Sequence, residues 1–202
     1  MGFSDSAKTI NARKKADQLM PFIKHNMRVL DFGCGDLSLS KELVRRDKTL
    51  SITGVDVVDF NVKDIKIHFQ KYDGKKIPYT HNAFDVVISY HVLHHTDKPI
   101  GFLNECLRVC RGKLLLVEPV YRHPVEIFGM TFMDWIFNVW KDRSIAMTYA
   151  FQSKTRWMQA IEARGWKIEK IIDVELLPAW FPTGRSYLFV CKKIMRKSLL
   201  MV

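Results

Sequence analysis

The chain has 202 residues, 48% of them hydrophobic, with 32 Lys and Arg against 21 Asp and Glu. That length and apolar content fit one folded domain with a full core, and they exclude a disordered or fibrous polypeptide. The formal net charge of +11 attracts polyanions, so RNA and anionic lipid enter as partners to be weighed, although the bases are dispersed (Arg13-Lys14-Lys15, Arg45-Arg46, Lys75-Lys76, Lys192-Lys193, Arg196-Lys197) and read as solvated surface.

The opening residues "MGFSDSAKTINARKKADQLM" carry charges throughout and hold no apolar run, unlike a secretory signal. They begin a helix over 6–25, with Pro21 as a kink. A buried strand at 27–33 leads to a helix at 38–47, and further strands are expected at 51–58, 66–73 and 83–91. The pattern at 98–112 is helical, with Phe102, Leu103, Cys106, Leu107 and Cys110 on one face and Gly112 as its C-terminal cap. The apolar run at 113–120 is a fifth strand. Residues 121–150 then bring bulky aromatics (Phe128, Phe132, Trp135, Phe137, Trp140) in a helical insertion; its apolar-rich part, 125–140, is too short and too interrupted by Glu126 and Asp134 to cross a bilayer. Ser153 caps a helix over 154–164 that Gly165 ends, and strands at 166–176 and 185–193 flank the loop 177–184. Strands alternating with helices specify an α/β domain around a mostly parallel sheet, closed by an antiparallel pair. Cys34, Cys106, Cys110 and Cys191 show no framework spacing, which suits a reduced, cytoplasmic protein.

The most informative stretch is "VLDFGCGD" (29–36), where a strand ends and a helix opens. Gly33 and Gly35 allow a sharp turn and a close approach of ligand to backbone. The dinucleotide fingerprint fails, because its third glycine position is Ser38. Asp31 would repel a pyrophosphate and suits a cationic or amino-bearing ligand. Asp56 closes the second strand, and its two acceptor oxygens match a vicinal diol.

D-x-G-x-G after a first strand resembles motif I of the class I S-adenosylmethionine-dependent methyltransferases, and the similarity continues along most of the chain. "TGVDVV" is similar to the family's acidic second-strand end, "YDGKKIPYTHNAFDVVIS" to its adenine-side passage, and "LLLVEP" to its fifth-strand motif. "FDVVISYHVLHHTDKP" resembles the fourth-strand motif of the small-molecule, quinone-biosynthesis-like subgroup. The resemblance implies a Rossmann-like seven-stranded sheet, order 3-2-1-4-5-7-6 with strand 7 antiparallel and helices on both faces. It implies S-adenosyl-L-methionine as cofactor, held by Asp31, Gly33, Gly35, Asp56, Asp73, Gly74 and Ser89. Where many relatives have a third motif I glycine, this chain has Leu37.

His91, His94, His95 and Asp97 follow the fourth strand. Adjacent His94 and His95 are expected to point apart, with no Cys or Glu nearby to complete a ligand set, so no metal is assigned. The resemblance makes them supports of the loop beneath the cofactor and puts His91 and Tyr90 nearer the methyl group. His91 is the leading general base; Tyr90, Glu118 and Tyr121 are weaker ones. The segment 121–150, with Trp157 and the Trp180-Phe181 loop, is read as a lid over an apolar acceptor or as ordinary cover for the sheet. The functional expectation is methyl transfer to a small, apolar or aromatic molecule. RNA methylation is the alternative, disfavoured because "SYHV" stands where an N-P-P-Y-type motif would. A non-catalytic cofactor-binding regulator is a second.

Overall fold

The computed structural model describes residues 3–60, 64, 66–139, 148–174 and 184–194, and side chains within them apart from 3–7, 134 and 137–139. The helix α1 (Phe3–Leu19) runs into a 3-10 turn at Met20–Phe22. Pro21 sits in that turn, so the first helix ends sooner than the expected 25. Then come β1 (Arg28–Phe32), α2 (Ser38–Arg46), β2 (Ser51–Asp56), β3 (Ile67–Lys71), β4 (Phe84–Tyr90), α3 (Pro99–Val109) and β5 (Cys110–Tyr121). The chain continues through α4 (Glu126–Val139), β6 (Gln152–Ser153), α5 (Lys154–Glu162), β7 (Trp166–Asp173) and β8 (Arg185–Lys193).

The sheet order is β3-β2-β1-β4-β5-β8-β7, with β6 pairing separately to the end of β5. This is the expected Rossmann-like order with one correction: the two-residue β6 makes eight strands and renumbers the last two. β8 lies antiparallel between β5 and β7, as the terminal pair suggested. β1, β4 and β5 read as apolar runs because both of their faces are covered. One face packs Phe32, Val87, Leu114 and Leu116 against Leu103, Cys106, Leu107, Trp157 and Ile161. The other packs Val29, Val86, Ile88, Leu115 and Val117 against Ala16, Leu19, Leu39 and Leu43.

Gly112 does not cap α3. β5 already starts at Cys110, and Arg111 and Gly112 together oppose Asp85 where the β4–β5 register shifts. A Cβ at Gly112 would lie 2.5 Å from the Asp85 carbonyl oxygen, so the glycine answers a close strand approach. Ser153 does cap α5, its Oγ accepting from the Arg156 amide at 3.2 Å, and Gly165 (φ +72°) follows that helix. All four cysteines are buried and free. Among the described residues, no helix is long and apolar enough to cross a membrane.

Candidate functional site

In open α/β sheets, ligands bind beyond the carboxyl ends of the parallel strands, where the strand order reverses. Here β1 sits between β2 and β4, and the β1–α2 loop turns there. Gly33 (φ +71°) and Gly35 (φ +52°) both adopt left-handed backbone. A Cβ on Gly33 would lie 2.4 Å from the Val92 side chain, whereas one on Gly35 would meet nothing within 4 Å. The first glycine makes room for the loop after β4. The second leaves its space open.

The loop is tied to β2 through Asp56, whose Oδ2 accepts the Gly35 amide at 2.9 Å and whose Oδ1 accepts the Val58 amide at 3.1 Å. Each oxygen keeps a further lone pair for a ligand hydroxyl. Leu37, at the missing third glycine, nevertheless takes the conformation a glycine would, with φ +61° at the N-cap of α2. Its buried side chain meets the space above Gly54, where a Cβ would lie 2.6 Å from Leu37. Gly54 on β2 leaves the room that the Leu37 side chain takes up. Beyond β3, Asp73 is exposed and accepts the Lys75 amide at 3.0 Å in a turn through Gly74 (φ +73°).

Asp31 is buried on β1, where its Oδ2 accepts the Ser40 hydroxyl of α2 at 2.6 Å. Burial raises its pKa from 3.8 to about 6, against the lowering effects of the Ser40 bond and the Lys15 charge. Ser89, at the end of β4, has a buried hydroxyl with no hydrogen-bond partner. His91 follows at φ +55°, its amide donating to the Val117 carbonyl at 2.8 Å. Its Nε2 is shielded and without a partner. Burial first, then the neighbouring His94, Lys15 and His95, hold its pKa well below 6.5, so the ring is neutral at pH 7.

The other histidines have a different environment. Glu118 on β5 is fully buried and accepts from the Val92 amide (2.9 Å), the Leu93 amide (2.7 Å) and His94 Nδ1 (2.7 Å). A carboxylate so occupied holds the loop and is poorly placed to act as a base, which removes one weaker candidate. The expectation that His94 and His95 diverge is also corrected, since the 3-10 turn at Leu93–His95 brings their ring centroids to 4.0 Å. Among the described residues no three His, Cys, Asp or Glu side chains are grouped to hold a metal ion.

The part that α1 plays over the site is not legible in the sequence. α1 crosses the carboxyl edge, with Lys8 3.1 Å from Asp36 and Gln18 accepting the Tyr90 hydroxyl at 2.8 Å. Lys15 Nζ stands 4.5 Å above the centre of the Tyr90 ring. Tyr90 is therefore engaged with α1. On the far side, Phe151 stacks on His94 with ring centroids 5.1 Å apart, and the Ala150 amide donates to the His94 carbonyl. α4 leaves Phe128 and Phe132 exposed beside a cavity of about 430 Å³ that it shares with Tyr149. Trp157 is no lid residue, being fully buried under the sheet. Arg122, just before α4, is paired with Glu126. Trp140, Lys141, Arg143 and the Trp180-Phe181 pair lie outside the described residues.

A glycine loop between β1 and α2, an acidic end to β2 and this sheet order together define a class I methyltransferase fold. A family model described as a methyltransferase domain matches residues 8–171, and the chain belongs to that family. Over 165 residues it is 23% identical to the ubiquinone biosynthesis O-methyltransferase of Maricaulis maris, covering 75% of this chain and 63% of the relative. The chain thus spans less than two thirds of that relative's length. Among solved structures, a SAM-dependent methyltransferase from Methanosarcina mazei superposes with a TM-score of 0.64 at 16% identity, covering 89% of this chain and 98% of the other. The [4+2]-cyclase SpnF superposes at 0.67 with 17% identity, covering 92% and 80%. At such identities these structures speak to the fold alone, which hosts more than one reaction.

Proposed function

We propose that this protein is an S-adenosylmethionine-dependent methyltransferase acting on a small, apolar or aromatic acceptor in a reduced, cytoplasmic setting. The observation that carries the cofactor is the cradle at Gly35. An open space beside the left-handed Gly35, bordered by the Asp56 carboxylate that holds its amide, fits a ligand bearing a ribose diol, and the Ser89 hydroxyl near the end of β4 has no other partner. Asp31, Gly33 and Gly35 would receive its amino-acid end, Asp56 the ribose, and Asp73 with Gly74 the adenine side. S-adenosylmethionine supplies an electrophilic methyl group on a sulfonium, so the protein's task is alignment and exclusion of water.

His91 is the group we assign to the acceptor's proton. It is neutral, and its shielded Nε2 has no other partner. Nε2 would accept the proton of the acceptor hydroxyl as that oxygen receives the methyl group that bound S-adenosylmethionine would supply. Tyr90 shapes the wall beside it. Segment 121–150 serves as the substrate cover, since its exposed aromatic side chains and apolar cavity suit a compact apolar ligand. The similarity to a ubiquinone biosynthesis O-methyltransferase supports a small-molecule acceptor over RNA.

Calorimetry with S-adenosylmethionine and S-adenosylhomocysteine tests the cofactor, with micromolar binding expected. Isotope-labelled cofactor incubated with a metabolite extract and, separately, with total RNA tests the acceptor. Label is expected in the small-molecule fraction. Site-selective labelling of RNA alone would replace this reading with the RNA one, and binding without transfer to any pool would make the protein a regulator.

A further inference from the structure

The bases are dispersed along the chain, but folding gathers some of them at the amino ends of the strands. A cleft of about 510 Å³ opens there, at the opposite pole of the sheet from the glycine loop. It is lined by Met27, Asn82, Asp85, Arg111, Gly112 and Lys193. Asp85 and Ser89 lie near opposite ends of β4, so a rise of roughly 3.3 Å per residue puts about 13 Å between the cleft and the cofactor pole.

Irregular backbone shapes this cleft. Arg111 and Gly112 together oppose Asp85 where the β4–β5 register shifts, and a bulge re-aims the side chains it carries. Asn82 takes left-handed backbone (φ +59°), its amide donating to the Arg108 carbonyl at 3.0 Å. Lys193 ends β8, with its Nζ 6.0 Å from the centre of the Trp166 ring and donating to Asn82 Oδ1 at 2.5 Å.

Charge is out of balance here. Asp85 is the one carboxylate in the lining. Its Oδ1 accepts from Arg111 Nε, its Oδ2 accepts the Arg28 amide at 2.8 Å, and the Arg28 Nε stands 3.8 Å away. Lys193 has a neutral amide and an aromatic ring beside it. Three cations thus share one negative charge, and the cleft stays positive. Arg111 donates a single N–H to Asp85, and its terminal amino groups have no partner among the described residues. A guanidinium with free amino groups next to an ammonium is a donor set for phosphate oxygens. The volume is that of a site for a small organic molecule rather than a bare ion, and Met27 adds an apolar wall.

We propose that this cleft is a second binding site, for a small phosphorylated molecule, with Arg111 and Lys193 holding the phosphate. A confined cleft with one carboxylate in it suits a single terminal phosphate. A nucleic-acid backbone would need a row of cations instead.

Phenyl phosphate titrated calorimetrically into the wild type at low salt tests the site, with phenol as the uncharged control. Saturable binding of phenyl phosphate and none of phenol is expected, unchanged when S-adenosylhomocysteine is also present. Arg111→Met and Lys193→Met keep the apolar stems and should each weaken binding about tenfold or more. Asp85→Asn keeps an acceptor for the Arg28 amide but removes the repelling charge, so it should bind phenyl phosphate severalfold more tightly than wild type. A cluster that only stabilises the fold would show no such gain. Thermal melts establish that all three variants are folded. No binding by the wild type, equal binding by wild type and both methionine variants, or competition with S-adenosylhomocysteine overturns the proposal. A single-stranded RNA oligonucleotide that binds more tightly than phenyl phosphate, and loses that binding in Arg111→Met, would assign the cleft to nucleic acid and overturn it as well.

Discussion

The floor and the cover of the site are held by opposite kinds of bond. The floor, the loop 91–96 after β4, hangs on a fully buried carboxylate: Glu118 accepts two backbone amides and a histidine, and Val92 lies close over Gly33. The polar bonds of the cover, α1, include the Lys8–Asp36 pair, whose side chains are 59% and 36% exposed, a hydroxyl bond at Tyr90 and the bonds from Arg46 to Asp17 and the Arg13 carbonyl. Buried polar groups that lose a partner stay desolvated, whereas exposed ones turn to water. The floor is preorganised by strong internal bonds. The cover is anchored at its other end by Ala16 and Leu19 in the core and by Arg46 on Asp17, so only its Lys8 end opens at little cost.

Removing Glu118 is the severest way to break that contrast. Glu118→Ala leaves His94 Nδ1 and two amides buried without an acceptor, and a loss of about 3–5 kcal/mol is expected from denaturant midpoints. Glu118→Gln, which keeps one acceptor, should lose about 1–3 kcal/mol. An alanine variant as stable as wild type would mean that the floor does not depend on β5.

Gly33→Ala strikes the same floor from β1. It adds left-handed strain of about 1–2 kcal/mol and a Cβ that meets Val92. Adding Val92→Ala should relieve the clash and leave the strain, so a double-mutant cycle reads a favourable coupling between the two positions. Strict additivity would mean that the two do not touch.

A third test sharpens the comparison through pH. Asp31 titrates near pH 6 in the folded protein and at 3.8 when unfolded, because burial disfavours its charge. Its contribution to folding is therefore fully present below 3.8 and lost as pH rises through 6. Binding of a cationic amino group needs the ionised form and runs the other way. S-adenosylhomocysteine affinity is expected to fall about tenfold from pH 7 to pH 5 in wild type. Asp31→Asn should bind weakly and without that dependence. A flat wild-type profile would detach Asp31 from the ligand.

The smallest effect belongs to the cover. Lys8→Ala removes an exposed ion pair and should change global stability by no more than about 0.5 kcal/mol. Amide exchange along α1 should quicken while β4 and β5 stay protected. Equal quickening in the strands would show that cover and floor unfold as one.

Much of this was legible beforehand, and for local reasons. Strands buried on both faces appear as apolar runs, and a left-handed turn appears as glycine. So Gly33, Gly35, Asp56 and the antiparallel place of 185–193 followed from residue type, spacing and family resemblance. Gly112 misled because a glycine after a helical pattern looks the same whether it caps the helix or clears a neighbouring strand. Leu37 concealed its left-handed backbone, since only Gly54, opposite it on β2, makes room for the side chain.

The chain's local chemistry thus determined the α/β alternation, the glycine turn and the carboxylates at its rim, each dictated by neighbours a few residues away. What tertiary structure decided were the contacts spanning long separations. Glu118 reaches back to His94, Gln18 reaches forward to Tyr90, and Lys15 alone of three adjacent bases turns inward. Histidines that look alike in the sequence acquired different environments in the same way. His94 has a buried carboxylate beside it and His91 does not, and only the packing of β5 against β4 brings that carboxylate to one ring and not the other.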